Sequence, residues 1–323
     1  MNGRRSSSGA IGERRLGVVV LTYGESGVHL QLLDSLWSEG LSPREVLVVH
    51  NPSAPGEPDP VVPSGCELLR SERNLGYAGG MNLGIETMRA REVDLVLLLS
   101  HDARLRPGAL VRLGQAAEAQ PDYGVLAPAL VLAETEVPFS WGGTTSRWGT
   151  AAHLKVRPSD DVEGVAECAW VDGGTMLVRS AALERTGGFD ERFWGYCEES
   201  DLCLRIRRSG FRVGVVLDAV AEQEPGGPKR PGAWAYLLTR NGAEYARRVA
   251  GRRGAAVAEL RALREVLLLL ARAAVRTVRQ RPGGSREMLV LAVGVARGAI
   301  DFLRGRWGPP PPGLPGMGDL HNA

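Results

Sequence analysis

The sequence predicts an α/β fold, a mixed, mainly parallel sheet flanked by helices, with an α-helical C-terminal extension. Two observations carry the architecture. Short continuous apolar runs at 17–22, 45–50 and 94–100 end in turn residues and alternate with segments of helical periodicity, as strands covered on both faces do. From 232 to 308 the pattern changes to Ala-, Leu- and Arg-rich helix. A third observation sets the scale: 323 residues, 44% hydrophobic and 24% charged, suffice for one large domain with a helical appendage. The expected organisation is a disordered lead-in over 1–15, the α/β domain over 16–230, the helical extension over 231–308 and a proline-rich disordered tail over 309–323.

The lead-in MNGRRSSSGAIGERR is charged but has no apolar stretch of signal-peptide length. GVVVLT then forms the first strand, and the next segment feeds a helix carrying Val28, Leu32, Leu33, Leu36 and Trp37. EVLVVH is the second strand, completing a parallel strand-helix-strand unit. Ligands of such sheets bind at the carboxyl ends of the strands, here Thr22, Tyr23, Glu25, His50 and Asn51. In RNLGYAGGMNLGIETM the glycines Gly76, Gly79, Gly80 and Gly84 precede and enter a helix, so they serve either phosphate approach by backbone N–H groups or close helix-to-sheet packing. A dinucleotide fingerprint would instead follow the first strand, which reads TYGESG, and this disfavours a dehydrogenase.

DLVLLLS is the third buried strand and runs into HDARLRPGAL. Asp102 at its carboxyl end, with Pro107 opening the following helix, either makes a local turn or holds a divalent cation against a diphosphate. A helix to about 119 and a strand near 125–132 follow, and 137–167 reads as irregular hairpins. The densest stretch is GGFDERFWGYCEESDLCLRIRRSG, in which an acidic, aromatic turn passes into a helix marked by Leu202, Ile206 and Phe211. Glu198, Glu199 and Asp201 fall in that helix's first turn, where its dipole favours carboxylates, and they are either caps or reactive groups.

Composition narrows the classes. A net charge of +2 without basic-aromatic interleaving argues against nucleic acid as a partner. Cys66, Cys168, Cys197 and Cys203 form no CxxC and adjoin no histidine pair, which disfavours zinc and points to a reducing, cytoplasmic setting. The apolar runs of the tail are far shorter than the roughly 20 residues of a membrane span. Arg272, Arg276, Arg279 and Arg281 beside apolar faces allow peripheral contact with an anionic membrane, the alternative being packing on the α/β domain or a homodimer.

The succession VVVLTYG, VVHNPS, RNLGYAGGMNLG, LLLSHDA, VDGGTMLVRSAAL and GGFDERFWGYCEESDLCLRIRRSG resembles the family 2 glycosyltransferases, which have the GT-A fold, over about 16–223. Arg240-Asn241 and GVARGAIDFLRGRWG resemble later segments of rhamnosyltransferase-like members. The resemblance implies an inverting transfer of sugar from a nucleotide-diphospho-sugar donor to the hydroxyl of a glycan, lipid-linked or small-molecule acceptor. Inversion calls for a base to take the acceptor proton and a cation, Mg2+ or Mn2+, to neutralise the leaving diphosphate. Thr22, Tyr23 and Glu25 would border the nucleoside and His50 and Asn51 the base, with Arg73, Asn74, Gly76 and Asn82 around ribose and diphosphate. Gly173 and Gly174 complete the donor set beside His101 and Asp102, and Asp102 matches the last acid of the metal element. Glu198 and Glu199 match the family's Glu-Asp pair, Glu199 being the expected base, and Asp201 follows. The chain departs from the family at Gly24, at His50 and His101 where relatives carry acids, and at Gln223 near a frequent histidine, with Glu222 or Glu224 as substitutes. These departures support a competing reading, a catalytically silent nucleotide-sugar-binding protein of the same fold. A nucleotidyltransferase is disfavoured, since no glycine-rich, Arg-containing signature lies near the first strand.

Overall fold

The computed structural model describes residues 10–11, 14–24, 27–133, 135, 137–158, 164–224, 230–278 and 282–315. In chain order the elements are β1 (Ala10–Ile11), β2 (Arg14–Tyr23), α1 (His29–Ser38), β3 (Val46–Asn51), β4 (Glu67–Arg70), α2 (Gly76–Ala90), β5 (Leu95–Ser100) and β6 (Ala103–Leu105). There follow α3 (Ala109–Ala119), β7 (Tyr123–Leu132), β8 (Pro138–Ser140), β9 (Gly143–Thr145), β10 (Ala151–His153), β11 (Val165–Glu167), β12 (Thr175–Arg179) and α4 (Ser180–Thr186). The last are α5 (Glu198–Arg208), β13 (Arg212–Gln223), α6 (Pro231–Val278) and α7 (Pro282–Leu303).

The main sheet runs β11-β13-β7-β12-β5-β2-β3-β4. The three apolar runs of the sequence are its centre, β5, β2 and β3, all parallel and buried almost throughout. β4 is parallel to β3, and β7 and β13 are parallel to each other, whereas β12 lies antiparallel between β5 and β7. One face of the centre, with Val18, Val20, Leu97 and Leu99, packs with Leu32, Leu33 and Leu36 of α1 and Leu110 and Leu113 of α3. On the other face α2 approaches so closely that a Cβ on Gly84 would lie 2.3 Å from Val19 Cγ1, and one on Gly80 2.5 Å from Leu21 Cδ1. Those two glycines serve helix-to-sheet packing.

Three local expectations change. Order begins before Leu16, because Ala10–Ile11 pairs with Arg15 and Arg14 at the start of β2. Pro107 does not open α3, since Gly108 intervenes in a left-handed conformation (φ 81°) and the helix starts at Ala109. The proline-rich tail is placed as far as Pro315: Leu314 is buried with Tyr236 and Leu237 and packs with Trp194.

The chain divides into two compact units, one of Met1–Thr144, His153–Phe189 and Leu202–Pro225, the other of Thr145–Ala152, Asp190–Asp201 and Gly226–Ala323. In the second unit α6 is interrupted at Ala250 and Gly251, which leave helical geometry. Its buried Ala235, Ala262 and Leu269 form a small core with Ala292 and Val295 of α7. Among the described residues no helix is long and apolar enough to cross a membrane.

Candidate active site

In the first unit the predicted ligands cluster where the central strands end. Thr22, last but one in β2, is buried and shares a 3.0 Å hydrogen bond between its Oγ1 and Nδ1 of His50 on β3. His50 is wholly buried, and its Nε2 lies 3.5 Å from Glu57 Oε1. Burial lowers the imidazole's pKa, with the Glu57 charge opposing. Burial also acts to raise the Glu57 pKa, but hydrogen bonds from the Ser53 hydroxyl and the Ser53 and Ala54 amides outweigh it. Thr22, His50 and Glu57 thus form a buried polar row beneath the strand ends, in which His50 Nε2 and Glu57 Oε1 face each other without a hydrogen bond. Tyr23 is half-buried there, and Glu25 lies outside the described residues.

Asn51 organises the turn into α2. Its Nδ2 donates to the Gly76 carbonyl at 2.7 Å and to Asn74 Oδ1 at 3.3 Å, and its Oδ1 accepts from the Leu75 amide at 2.9 Å. Gly76 is left-handed (φ 70°), which a side chain would resist, and its amide donates to Asn74 Oδ1. Arg73 is exposed beside this turn. Asn82 stands two turns into α2 and is not at that helix end; it brackets the backbone of Phe189, donating to its carbonyl at 2.9 Å and accepting from its amide at 2.8 Å. Tyr77 ties the first turn of α2 to the Gly173 carbonyl at 2.5 Å.

A second cluster surrounds Gly174. Ser100 Oγ donates to Asp102 Oδ1 at 2.5 Å, and the Gly174 amide donates to Asp172 Oδ1 at 2.9 Å. A Cβ on Gly174 would find Asp172 Oδ1 at 3.1 Å, Gln223 Oε1 at 3.4 Å and Ser100 Oγ at 3.6 Å. Gln223 Oε1 is buried without a hydrogen-bond partner, and burial, assisted by the charge of Asp102, raises the Asp172 pKa. Glu222 and Glu224 are ion-paired with Arg106 and Arg104, so the residue of this strand end that faces the cradle is Gln223. His101 occupies the intervening turn, half-buried. Among the described residues no three of His, Cys, Asp and Glu form a metal cluster. The cradle nevertheless suits a hard divalent cation, since it offers only oxygens, two of them carboxylate-borne and one an orphaned amide oxygen. Asp172 was missed because a single acid before Gly-Gly carries no spacing signal.

In the second unit the acids separate by exposure at the start of α5: Glu198 is 5% exposed and Asp201 0%, whereas Glu199 is half-buried. Consecutive helical residues point about 100° apart, which accounts for the split. Asp201 is held by Arg248, whose Nη1 donates to Asp201 Oδ1 at 2.5 Å. The same guanidinium reaches Asp190 at 2.5 Å and Glu244 at 3.0 Å. Burial acts against charge on Arg248, but Asp190 and Asp201 outweigh it and raise the pKa. Asp201 therefore anchors the helix start. Tyr196, 44% exposed, has its phenol pushed up by burial and by the charges of Glu198 and Glu199.

Comparison with known proteins agrees with this fold. Residues 17–170 match the pattern of glycosyl transferase family 2, and residues 161–222 that of the N-terminal domain of galactosyltransferase. An N-acetylglucosaminyl-diphospho-decaprenol L-rhamnosyltransferase of Mycobacterium tuberculosis is 31% identical over 228 residues, covering 61% of this chain and 71% of that protein. Among solved structures, the mannosyltransferase PcManGT from Pyrobaculum calidifontis, in complex with GDP-Man and Mn2+, superposes with a TM-score of 0.52 at 16% identity, over 91% of this chain and 88% of that one. TarS 1-349 from S. aureus, in complex with UDP-GlcNAc, gives 0.50 at 14% identity, over 90% and 92%. The likeness of the two structures is one of fold; the rhamnosyltransferase, matched over most of its length, makes this chain a member of glycosyl transferase family 2, a sugar-transferring enzyme of rhamnosyltransferase-like type.

Proposed function

We propose that the chain transfers a sugar, with inversion, from a nucleotide-diphospho-sugar to a hydroxyl of a lipid-linked glycan. The nucleotide lies across the ends of β2 and β3, and the N-terminus of α2 supplies backbone N–H groups, shaped by Asn51, Asn74 and Gly76, to the diphosphate. Asp102, Asp172 and Gln223 would hold a Mg2+ or Mn2+ ion, whose charge offsets that of the leaving diphosphate. The Mn2+ of the mannosyltransferase complex supports a cation of this kind.

Glu199 is the general base. The observation that carries this assignment is the division of the acids at the start of α5: Asp201 is buried against Arg248 and Glu198 is buried, leaving Glu199 as the accessible carboxylate. It takes the proton of the acceptor hydroxyl as that oxygen attacks the anomeric carbon and the nucleoside diphosphate departs. Removing a general base lowers turnover by roughly 10²- to 10⁴-fold and leaves ground-state binding nearly intact. Glu199→Gln is expected to bind donor normally in calorimetry yet transfer sugar slowly, and Glu199→Asp to keep more activity than Gln. Full turnover by Glu199→Gln would remove the assignment.

The lipid-linked acceptor is inferred from the mycobacterial relative's name and from the outward surface of α6. Leu260, Leu263, Leu267 and Leu270 are each at least 44% exposed and recur at spacings of three and four, with Arg261, Arg264 and Arg272 between or beside them. An apolar helix face rimmed by arginine suits the headgroup region of an anionic bilayer.

A further inference from the structure

The loop that delivers Glu199 has an unusual backbone. Trp194, Tyr196 and Cys197 are all left-handed, at φ 65°, 67° and 69°. Non-glycine residues rarely adopt this conformation, and a cluster persists only where surrounding structure imposes it. Two adjacent side chains of α6 make the imposing contacts. Asn241 Nδ2 lies 2.8 Å from the Phe193 carbonyl, 2.7 Å from that of Gly195 and 2.9 Å from that of Tyr196. Arg240 donates through Nη2 to the carbonyls of Phe193 and Arg192 at 3.1 and 3.4 Å. Its Nε donates to Asn241 Oδ1 at 2.9 Å, and its Nη1 to the Gly308 carbonyl at 2.8 Å. Both residues are 0% exposed.

The chemistry of the pair fits the task. The left-handed turns gather carbonyls that would otherwise diverge, and a gathered set of carbonyl oxygens needs a dense source of donors in one place. An asparagine amide offers two N–H donors and still has an oxygen to receive one from arginine, and the guanidinium adds its rigid fork. A lysine would keep the charge of Arg240 but lose the fork. An aspartate at 241 would keep the shape of Asn241 but set negative oxygen against the gathered carbonyls.

We propose that Arg240 and Asn241 are positioning residues of the transfer reaction: they lock residues 192–197 so that the start of α5 presents Glu199 in one fixed orientation. The proposal rests on Glu199 being the base. A base displaced by about 1 Å loses on the order of 10²-fold in rate, so release of the loop is expected to act on turnover and not on donor affinity.

The test combines amide hydrogen exchange of residues 193–199, turnover, and donor affinity by calorimetry for the parent, Asn241→Ala, Asn241→Asp and Arg240→Lys. Leu269→Ala, which opens the α6–α7 core, controls for loss of stability. Expected for Asn241→Ala and Asn241→Asp are at least tenfold faster exchange across 193–199 and roughly 10- to 100-fold lower kcat, with donor Kd within twofold of the parent. Arg240→Lys should fall between, and Leu269→Ala should lower Tm without accelerating exchange in the loop. Parent-like exchange at 193–199 in Asn241→Ala, or a kcat that tracks Tm identically in Leu269→Ala, overturns the proposal. If Asn241→Ala does not fold, Arg240→Lys is judged by the same criteria. Glu199→Gln measured alongside keeps the two ideas apart: full activity there refutes the base, whereas the exchange data still judge the lock.

Discussion

Asp102 and Asp172 come from separate turns, 70 positions apart in sequence; Asp172 borders the space left by the missing side chain of Gly174, and Asp102 is tied to it through Ser100. Like charges repel, which is why the charge of Asp102 adds to burial in raising the Asp172 pKa, against the Gly174 amide and Lys155. A divalent cation would reverse that balance, and the orphaned Gln223 oxygen would gain a partner. Asp102→Asn and Asp172→Asn are each expected to weaken Mn2+-dependent donor binding by at least roughly 10- to 100-fold, while donor binding in chelator stays at the parent's value. Calorimetry with and without Mn2+ decides. Parent-like affinity in Asp172→Asn would leave Asp102 and Gln223 without a second acid. At this scale the sequence was least informative: Glu57 lies in no motif, Ser100 and Asp172 lie within the quoted blocks without any spacing that marks a role, and only folding brings the turn of Ser100 and Asp102 to that of Asp172 and Gly174.

Elements were more legible. The central strands were readable because burial on both faces demands unbroken apolar runs, and the helices because burial on one face demands a period near 3.6. Legibility failed where a contact distant in sequence sets the structure. Ala10–Ile11 is ordered by pairing with β2, and Leu314 by a pocket of Tyr236 and Leu237, neither of which a local pattern announces. The glycines of α2 are the instructive middle case, since phosphate approach and close packing both ask for glycine and the sequence alone does not choose. For Gly84 the choice is packing against Val19, so Gly84→Ala should destabilise the fold by about 1–3 kcal/mol, the usual range for overpacking, with donor affinity unchanged in the folded fraction. Denaturant unfolding measures the first and calorimetry the second. A stable variant that has lost donor binding would return this glycine to the phosphate.

At the scale of the whole molecule, the exposed leucines of α6 and the arginines around them bear on where the enzyme works. Vesicles containing anionic lipid should retain the protein in co-sedimentation, and binding should weaken as salt rises from about 0.1 M to about 1 M, where the screening length falls from about 10 Å to about 3 Å. Leu263→Glu combined with Leu267→Glu should abolish retention at either salt. A monomer-dimer equilibrium lost in that variant, with no vesicle binding by the parent, would assign the face to a second copy. The left-handed residues ahead of Glu199 have a different consequence for the molecule as a whole, one that concerns selection. An L-residue held in that conformation is disfavoured by roughly 1–2 kcal/mol, of which glycine would recover part, less the roughly 0.5–1 kcal/mol of extra chain entropy it brings to the unfolded state. Tyr196 is 44% exposed, so replacing it also forfeits the packing of its buried part, a loss common to glycine and alanine. Tyr196→Gly is therefore expected to keep a higher Tm than Tyr196→Ala while both lower turnover, and an equal Tm in the two would show that the loop is not strained. An enzyme kept this way sits below its own attainable stability, and screens of this chain for thermal robustness alone will tend to collect glycines in that loop and lose the catalyst.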